Sequence, residues 1–546
     1  QQIANSTIAD YAIIIPANAS DIEKQAAAQL KKYLSQLAPK PIAITEEGSS
    51  RVLNGIYIGK TQFALDNKTD FNKLPEAGFK IVSSGNHIII GGGIKKGLLF
   101  GVYDFLESLG FRKYSPENAS VPKDQTLKIG KTSKFFEPKI KYRTTSYSQM
   151  ADQEYSDWHK LSSRDDWGLF VHTFNTLVPF QEYGKTHPEY YSLIDGKRQP
   201  GTQLCLSNPE VLKVLVASLK NKIKEKPNSS YWSVSQDDND RYCQCDACKS
   251  LNEKYGNVPS GSIIYFVNQV AREFPEKIIS TLAYWYSRKA PKNIAIEPNV
   301  NIMLCNIEST RQAPVYVTDP AFSKDLRDWG TLSKDIIIWD YNIQFTNFVS
   351  PFPNLYTIKP NIKFYTDNHV NALFMQANNE AAAEMALLRS YLICKLMWDP
   401  EADDQAIINE FLEGYFGVAA PFILQYIKSM QDSLVKSGMV LSIFGDPIHA
   451  KNAYLSAEMM QHYKQLFDKA EQAAASNPEL LARIKTARLP IMYAEIQIGR
   501  TEIDTQRSMY FRQNSGIVLP KPEMKILVNQ FADLCKINSI KLIRER

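Results

Sequence analysis

From about residue 138 the chain repeats one pattern, a short apolar run followed by a stretch with helical spacing. Eight runs recur: KYRTTSYS (141–148), WGLFVHTF (167–174), TQLCLS (202–207), YWSVSQ (231–236), ISTLAYWY (279–286), NVNIMLCN (299–306), DIIIWDYN (335–342) and NALFMQAN (371–378). Each is too short for a helix and rich in β-branched and aromatic residues. Helical patterns such as NPEVLKVLVASLKNKIKEK and SIIYFVNQVAREFPEK lie between several of them. Continuous apolar strands alternating with helices predict a parallel sheet covered on both faces. Eight of them predict an α/β fold, a (β/α)8 TIM barrel over residues 137–400.

The flanks read differently. Residues 1–136 predict an α+β domain. YAIIIP, NGIYIGK, GFKIVSSG and NHIIIGGG are strand candidates, and Ser20 with Glu23 forms a capping box ahead of DIEKQAAAQLKKYLSQL. A second helix should end at Gly110. Residues 401–546 are helical in pattern throughout.

Composition excludes some classes. The 546 residues carry a net charge of +5 with no long run of like charges, so nucleic-acid binding has no footprint. No run approaches ~18 consecutive apolar residues, so no transmembrane helix is predicted. The sequence opens on QQIANST with no signal peptide, as a mature or trimmed secreted form would. The expected location is periplasmic or cell-surface. Aromatic content is 11%, with 28 Tyr and 7 Trp, which suits sugar rings as well as cores.

In a (β/α)8 barrel the chemistry belongs at the C-terminal ends of the strands. The residues there are His172, Asp237 with Asp238 and Asn239, Tyr284 and Tyr286, Glu308, Trp339 with Asp340 and Tyr341, and Gln376 with Asn378. This set is rich in acids and aromatics, as glycoside hydrolysis requires. One carboxyl protonates the leaving oxygen, and a second group attacks or stabilises the anomeric carbon. Asp238, Glu308 and Asp237 are the catalytic candidates; the others are substrate-binding candidates, with a glycan as the expected partner. Each has a blander reading. Asp237 could cap the following helix, His172 could be a core histidine, and the tyrosines could be packing. The chemistry calls for no cofactor and no metal. Cys243, Cys245 and Cys248 follow the acids as C-x-C-x-x-C. Three readings stay open for them: structural zinc with Cys205 as a further ligand, a local disulfide, or packed thiols. In each the cysteines brace the loop that presents the acids.

The stretches KKGLLFGVYDFLESLGFRKYSP, HTFNTLVPFQEYGKTHPEYYSLIDGKRQPGTQLCLSNPEV, SVSQDDNDRYCQCDACKS and LLRSYLICKLMWDPEADDQAIINEFLEGYFG resemble Bacteroides-type proteins carrying domain of unknown function 4838. Parts of that group are classed as glycoside hydrolase family 163. The resemblance implies an N-terminal domain like those ahead of α-glucuronidase and hexosaminidase barrels. It also implies endo-β-N-acetylglucosaminidase action on N-glycans. By similarity to family 20 enzymes, an Asp-Glu pair would end the fourth strand. Here the pair is Asp237-Asp238, so the acid is Asp238 or is supplied by Glu308. An α-glucuronidase-like hydrolase and a non-catalytic glycan-binding barrel are the alternatives.

Overall fold

In the computed structural model, which describes residues 8–544 apart from 39, 50–51, 94, 124–129 and 378–382, the N-terminal signals act as their chemistry predicts. The backbone N–H of Ser20 donates to Glu23 at 2.8 Å and opens the helix Asp21–Leu34. The second helix spans Gly97–Ser108, and the chain leaves it through Gly110 at φ 95°, a left-handed position that glycine takes without strain. Both helices bury apolar residues against a six-stranded sheet. Its strand order is Ile44–Glu46, Ala12–Ile15, Gly55–Ile58, His87–Gly92, Phe79–Ser84, Ser133–Phe136. The first four are parallel, and Phe79–Ser84 is antiparallel to both of its neighbours.

The second sheet has seven strands: β1 (Tyr142–Thr145), β2 (Trp167–Leu169), β3 (Tyr231–Ser233), β4 (Ile278–Ala283), β5 (Val300–Cys305), β6 (Ile336–Tyr341) and β7 (Ala372–Gln376). Their order is β2-β3-β4-β5-β6-β7-β1, all parallel. The sheet curls. Tyr142 of β1 lies 6.2 Å from Trp167 of β2, and Phe170 just beyond β2 packs on Phe374 of β7 at 5.5 Å.

The result is a curled half-barrel, which departs from the expected eight-stranded closed barrel in two respects. Among the described residues, β1 and β2 share no ladder, so the sheet stays open there. The third run, TQLCLS, is not a strand. It makes one bridge, Leu204 to Tyr191, and β2 pairs directly with β3. Leu204, Cys205 and Leu206 are buried, which is why the run looks like a strand in sequence. Their burial comes from packing and from a cluster of sulfurs, not from a ladder.

The C-terminal region is helical as expected, with one antiparallel hairpin added at Tyr510–Arg512 and Val518–Pro520. Its helices as far as Gly499 share one continuous apolar core with the half-barrel, and the last, Pro522–Ile537, packs in a smaller cluster with Val349, Leu489 and Tyr493. By length and composition alone the run Asp404–Ser437 is apolar enough to cross a bilayer. It is two helices broken at Gly417, and Ile408, Phe411, Ile423 and Met430 are packed into that core.

Trp398 fastens the N-terminal unit to the half-barrel by stacking on Phe136 at 4.7 Å. Beside it, Glu107 accepts from Lys160 at 2.6 Å, Lys395 at 2.7 Å and the Trp158 indole at 3.0 Å. Burial opposes the Glu107 charge, but the two lysines outweigh it and hold the carboxyl well below the usual range. That stabilisation is present above the ordinary carboxylate range and is lost as pH falls through it. Lys160 is 3% exposed, so removing its partner strands a buried charge. Glu107→Gln should cost about 3–5 kcal/mol of unfolding free energy at pH 7. Urea denaturation should show the gap narrowing toward pH 3.

Candidate active site

Beyond β3 the chain continues through buried Val234, Ser235 and Gln236 to Asp237 and Asp238. No ladder from the third run steadies this segment. Backbone bonds from the Val234 N–H to the Ser280 carbonyl and from the Thr173 and Phe174 N–H groups to the Ser235 carbonyl hold it, along with side chains. On one flank, the Thr173 hydroxyl donates to the Ser233 carbonyl at 2.9 Å and accepts from the Ser235 N–H at 3.1 Å. The His172 N–H donates to the Ser235 hydroxyl at 3.0 Å, and its Nδ1 lies 2.8 Å from the Gln236 carbonyl. On the other flank is Gln203, from the irregular third run and 1% exposed. Its Oε1 accepts from the Asp237 N–H at 3.0 Å. Its Nε2 donates to the carbonyls of Asp237 at 2.8 Å and Asn239 at 2.7 Å.

These contacts set two adjacent carboxyls in unlike surroundings. Asp237 is half-buried and accepts from the Asn175 backbone N–H at 3.1 Å. Burial pushes it up to about 6, against the smaller opposing effects of that N–H and of His172. Asp238 is exposed and accepts from the Tyr284 hydroxyl at 3.0 Å. Burial, followed by the Asp238 charge, drives the Tyr284 hydroxyl upward, so it stays a proton-bearing donor. Glu308 adds to the same push from the end of β5. Its carboxylate is also tied to Arg288 at 3.1 Å, and Arg288 further binds Asp319 and Asp325.

The aromatic residues divide into those that face solvent and those that do not. Trp285 is 46% exposed and stacks on Tyr284 with centroids 5.3 Å apart. Half-buried Trp339 donates from its indole to Gln376 at 2.7 Å and packs near His172 and Phe170. His172 (φ 59°) and Trp285 (φ 53°) are both in the left-handed region, which costs a non-glycine residue about 1–3 kcal/mol. Such strain collects where side chains must be aimed at a ligand.

Other sequence candidates have structural partners instead. Asp340 is 1% exposed and accepts from Asn306 at 3.0 Å and Tyr365 at 3.1 Å, with Arg311 at 3.5 Å. Tyr341 is buried behind Trp339. Tyr286 stacks on Tyr242 and lines a small cavity with Cys243 and Cys248, while burial, followed by the Asp237 charge, drives its hydroxyl upward. Asn239 caps the local turn, accepting from the Arg241 N–H at 3.1 Å. Asn378 lies outside the described residues. Gln203, Asn175, Trp285 and Phe170 were not singled out in the sequence. Trp285 could have been, because it sits between two tyrosines that were.

A family model described as Domain of unknown function (DUF4838) matches residues 113–428, well over half of the chain. The chain belongs to the DUF4838 family. No curated protein matches it. Among solved structures it is similar to CpGH84D, with 11% identity, coverage of 99% of this chain and 98% of that one, and a TM-score of 0.50. It is also similar to BtGH115A, a family GH115 4-O-methyl-α-glucuronidase with specificity for decorated arabinogalactans. That match has 11% identity, covers 97% of this chain and 77% of that one, and has a TM-score of 0.56. At such identity the likeness is one of fold: an α/β architecture of glycoside-hydrolase type.

The raised Asp237 carries a stability signature. Its protonated form is favoured on folding, so stability is lost as pH rises from about 4 through about 6. Asp237→Asn keeps an acceptor for the Asn175 N–H and removes the buried charge. It should raise unfolding free energy by about 1–2 kcal/mol at pH 7 and by almost nothing at pH 4, read by urea denaturation.

Proposed function

We propose that the protein is a glycoside hydrolase that cleaves an N-acetylglucosamine-containing glycan with help from the substrate's own acetamido group. The observation that carries this is the Asp237-Asp238 pair at the end of β3, one carboxyl half-buried and one exposed. In the first step the acetamido oxygen bonds to the anomeric carbon while Asp238 protonates the departing oxygen and the glycosidic bond breaks. The amide N–H becomes acidic as its oxygen is alkylated. Asp237, poised at about 6, is matched to hold that N–H and the charge behind it. In the second step Asp238 takes a proton from water as the water attacks the anomeric carbon and the acetamido group is restored. Tyr284 holds Asp238 in place, and Trp285 offers a face on which a sugar ring can stack.

The finer reading is endo-β-N-acetylglucosaminidase action on N-glycans, as in the family 163 part of the group, in the periplasm or at the cell surface. An α-glucuronidase-like reaction is supported less well. It would need a cation for the uronate, and Arg288 is already bound by three carboxylates.

The test is digestion of N-glycans, glycosaminoglycan fragments and aryl glycosides, read by mass spectrometry. Wild type should release a defined fragment. Asp237→Asn and Asp238→Asn should each lose about 10²-fold or more. Wild type should show a pH limb in kcat/KM near 6 that Asp237→Asn lacks, because the working state needs Asp237 ionised while Asp238 carries its proton. Glu308→Gln should lose less than tenfold; an equal loss would make Glu308 the proton donor. If wild type cleaves nothing yet is retained on a glycan column, the half-barrel is a binding platform.

A further inference from the structure

The sulfurs of Cys205, Cys243, Cys245 and Cys248 all lie within 4.8 Å of one another, and none of them is in a disulfide. Cys205 comes from the irregular third run. Cys243 and Cys245 follow the acids, and Cys245 and Cys248 open the helix Asp246–Lys254. From Cys205 the sulfur separations are 3.7 Å to Cys245 and 4.0 Å to Cys248. A bonded pair would be about 2.0 Å apart. Four thiolates about 2.3 Å from one ion stand about 3.8 Å apart at the edges of a tetrahedron. The spread therefore fits one ion.

The surroundings suit anionic sulfur. The Leu193 N–H donates to Cys243 Sγ at 3.3 Å, and Arg198 Nη1 lies 3.8 Å from the same atom. The Ser207 hydroxyl lies 3.2 Å from Cys248 Sγ and 3.5 Å from Cys205 Sγ. The helix places its first turn at Cys245 and Cys248, where its dipole favours thiolate. Three of the four cysteines are buried.

We propose that Cys205, Cys243, Cys245 and Cys248 bind one structural zinc ion. Four protein ligands leave no open position for substrate, so the ion is a brace. It joins a point two residues from Gln203 to a point six residues beyond Asp237 and so fixes the spacing of the two loops that Gln203 ties together. The inference stands apart from the hydrolase reading, because metal content is read without substrate.

The full-length chain, purified without chelator, should contain one zinc per molecule by elemental analysis. Cys305 and Cys394 are buried by packing, so thiol titration of the native protein should report at most Cys535, and a mercurial should release the zinc as it reacts with the four ligands. Replacement by cobalt should give thiolate-to-metal charge-transfer absorption with tetrahedral d–d bands. Cys205→Ser should weaken that absorption by about a quarter. If the variant fails to fold, the wild-type cobalt spectrum still decides. Extraction of the metal should lower Tm by at least about 5 °C. A metal-free protein, two disulfides among the four cysteines, or one iron in place of zinc would each overturn the assignment.

Discussion

The buried amide of Gln203 is the constraint on which the acid loop depends. A parallel barrel normally steadies each strand end by ladders on both sides. Here β3 has β4 on one side, and its other neighbour β2 is only three residues long. Beyond Ser233 the backbone would have unpaired N–H and C=O groups in a closed interior, at about 1–3 kcal/mol for each one left unsatisfied. Gln203 pairs three of those groups, and Thr173 and His172 pair others. A side-chain amide has one acceptor and two donors in fixed geometry, so it sets direction as well as satisfying polarity. The aim of Asp237 follows from where Gln203 stands.

This arrangement accounts for a half-buried carboxyl that is costly to keep. Asp237 gives up part of its hydration and receives one backbone N–H in return. Its neighbour, one residue on, faces water and a tyrosine hydroxyl. The chain bends here, with the Asn239 N–H donating to the Asp237 carbonyl at 2.7 Å, and a single step along the backbone puts one carboxyl inside and the other at the rim. Two unlike acids come from one strand end with no second element to align.

Much of this was legible because burial leaves a period. Seven of the eight apolar runs are strands, and the capping box at Ser20 and the stop at Gly110 fall where local chemistry puts them. TQLCLS was misread because a run buried by sulfur packing has the same composition as one buried by a ladder. Asp340 meets a related limit. A strand-end acid in sequence does not say whether Asn306, Tyr365 and Arg311 will converge on it. Gln203 gave no signal, since its role depends on a partner loop more than thirty residues away. The approach of Cys205 to the C-x-C-x-x-C motif was among the open readings, and the structure brings all four sulfurs together.

The same physics joins the strained residues to the braces around them. His172 and Trp285 hold left-handed backbones on either side of the acids, a cost that unsupported loops would shed by relaxing. His172 is pinned by its N–H to Ser235 and its ring to Gln236. The turn at Trp285 is pinned by the Ser287 hydroxyl, which meets the Tyr284 N–H at 3.1 Å and the Gln236 amide at 2.6 Å. Gln236 thus reaches His172 through its carbonyl and, through its side chain, the Tyr284 and Ser287 that flank Trp285. The segment that carries the acids also fixes the ring and the indole that face them, so a shift of β3 would move all of these groups together. That common dependence keeps the site's parts in register, and it concentrates the site's sensitivity in a few buried polar side chains rather than in the carboxyls themselves.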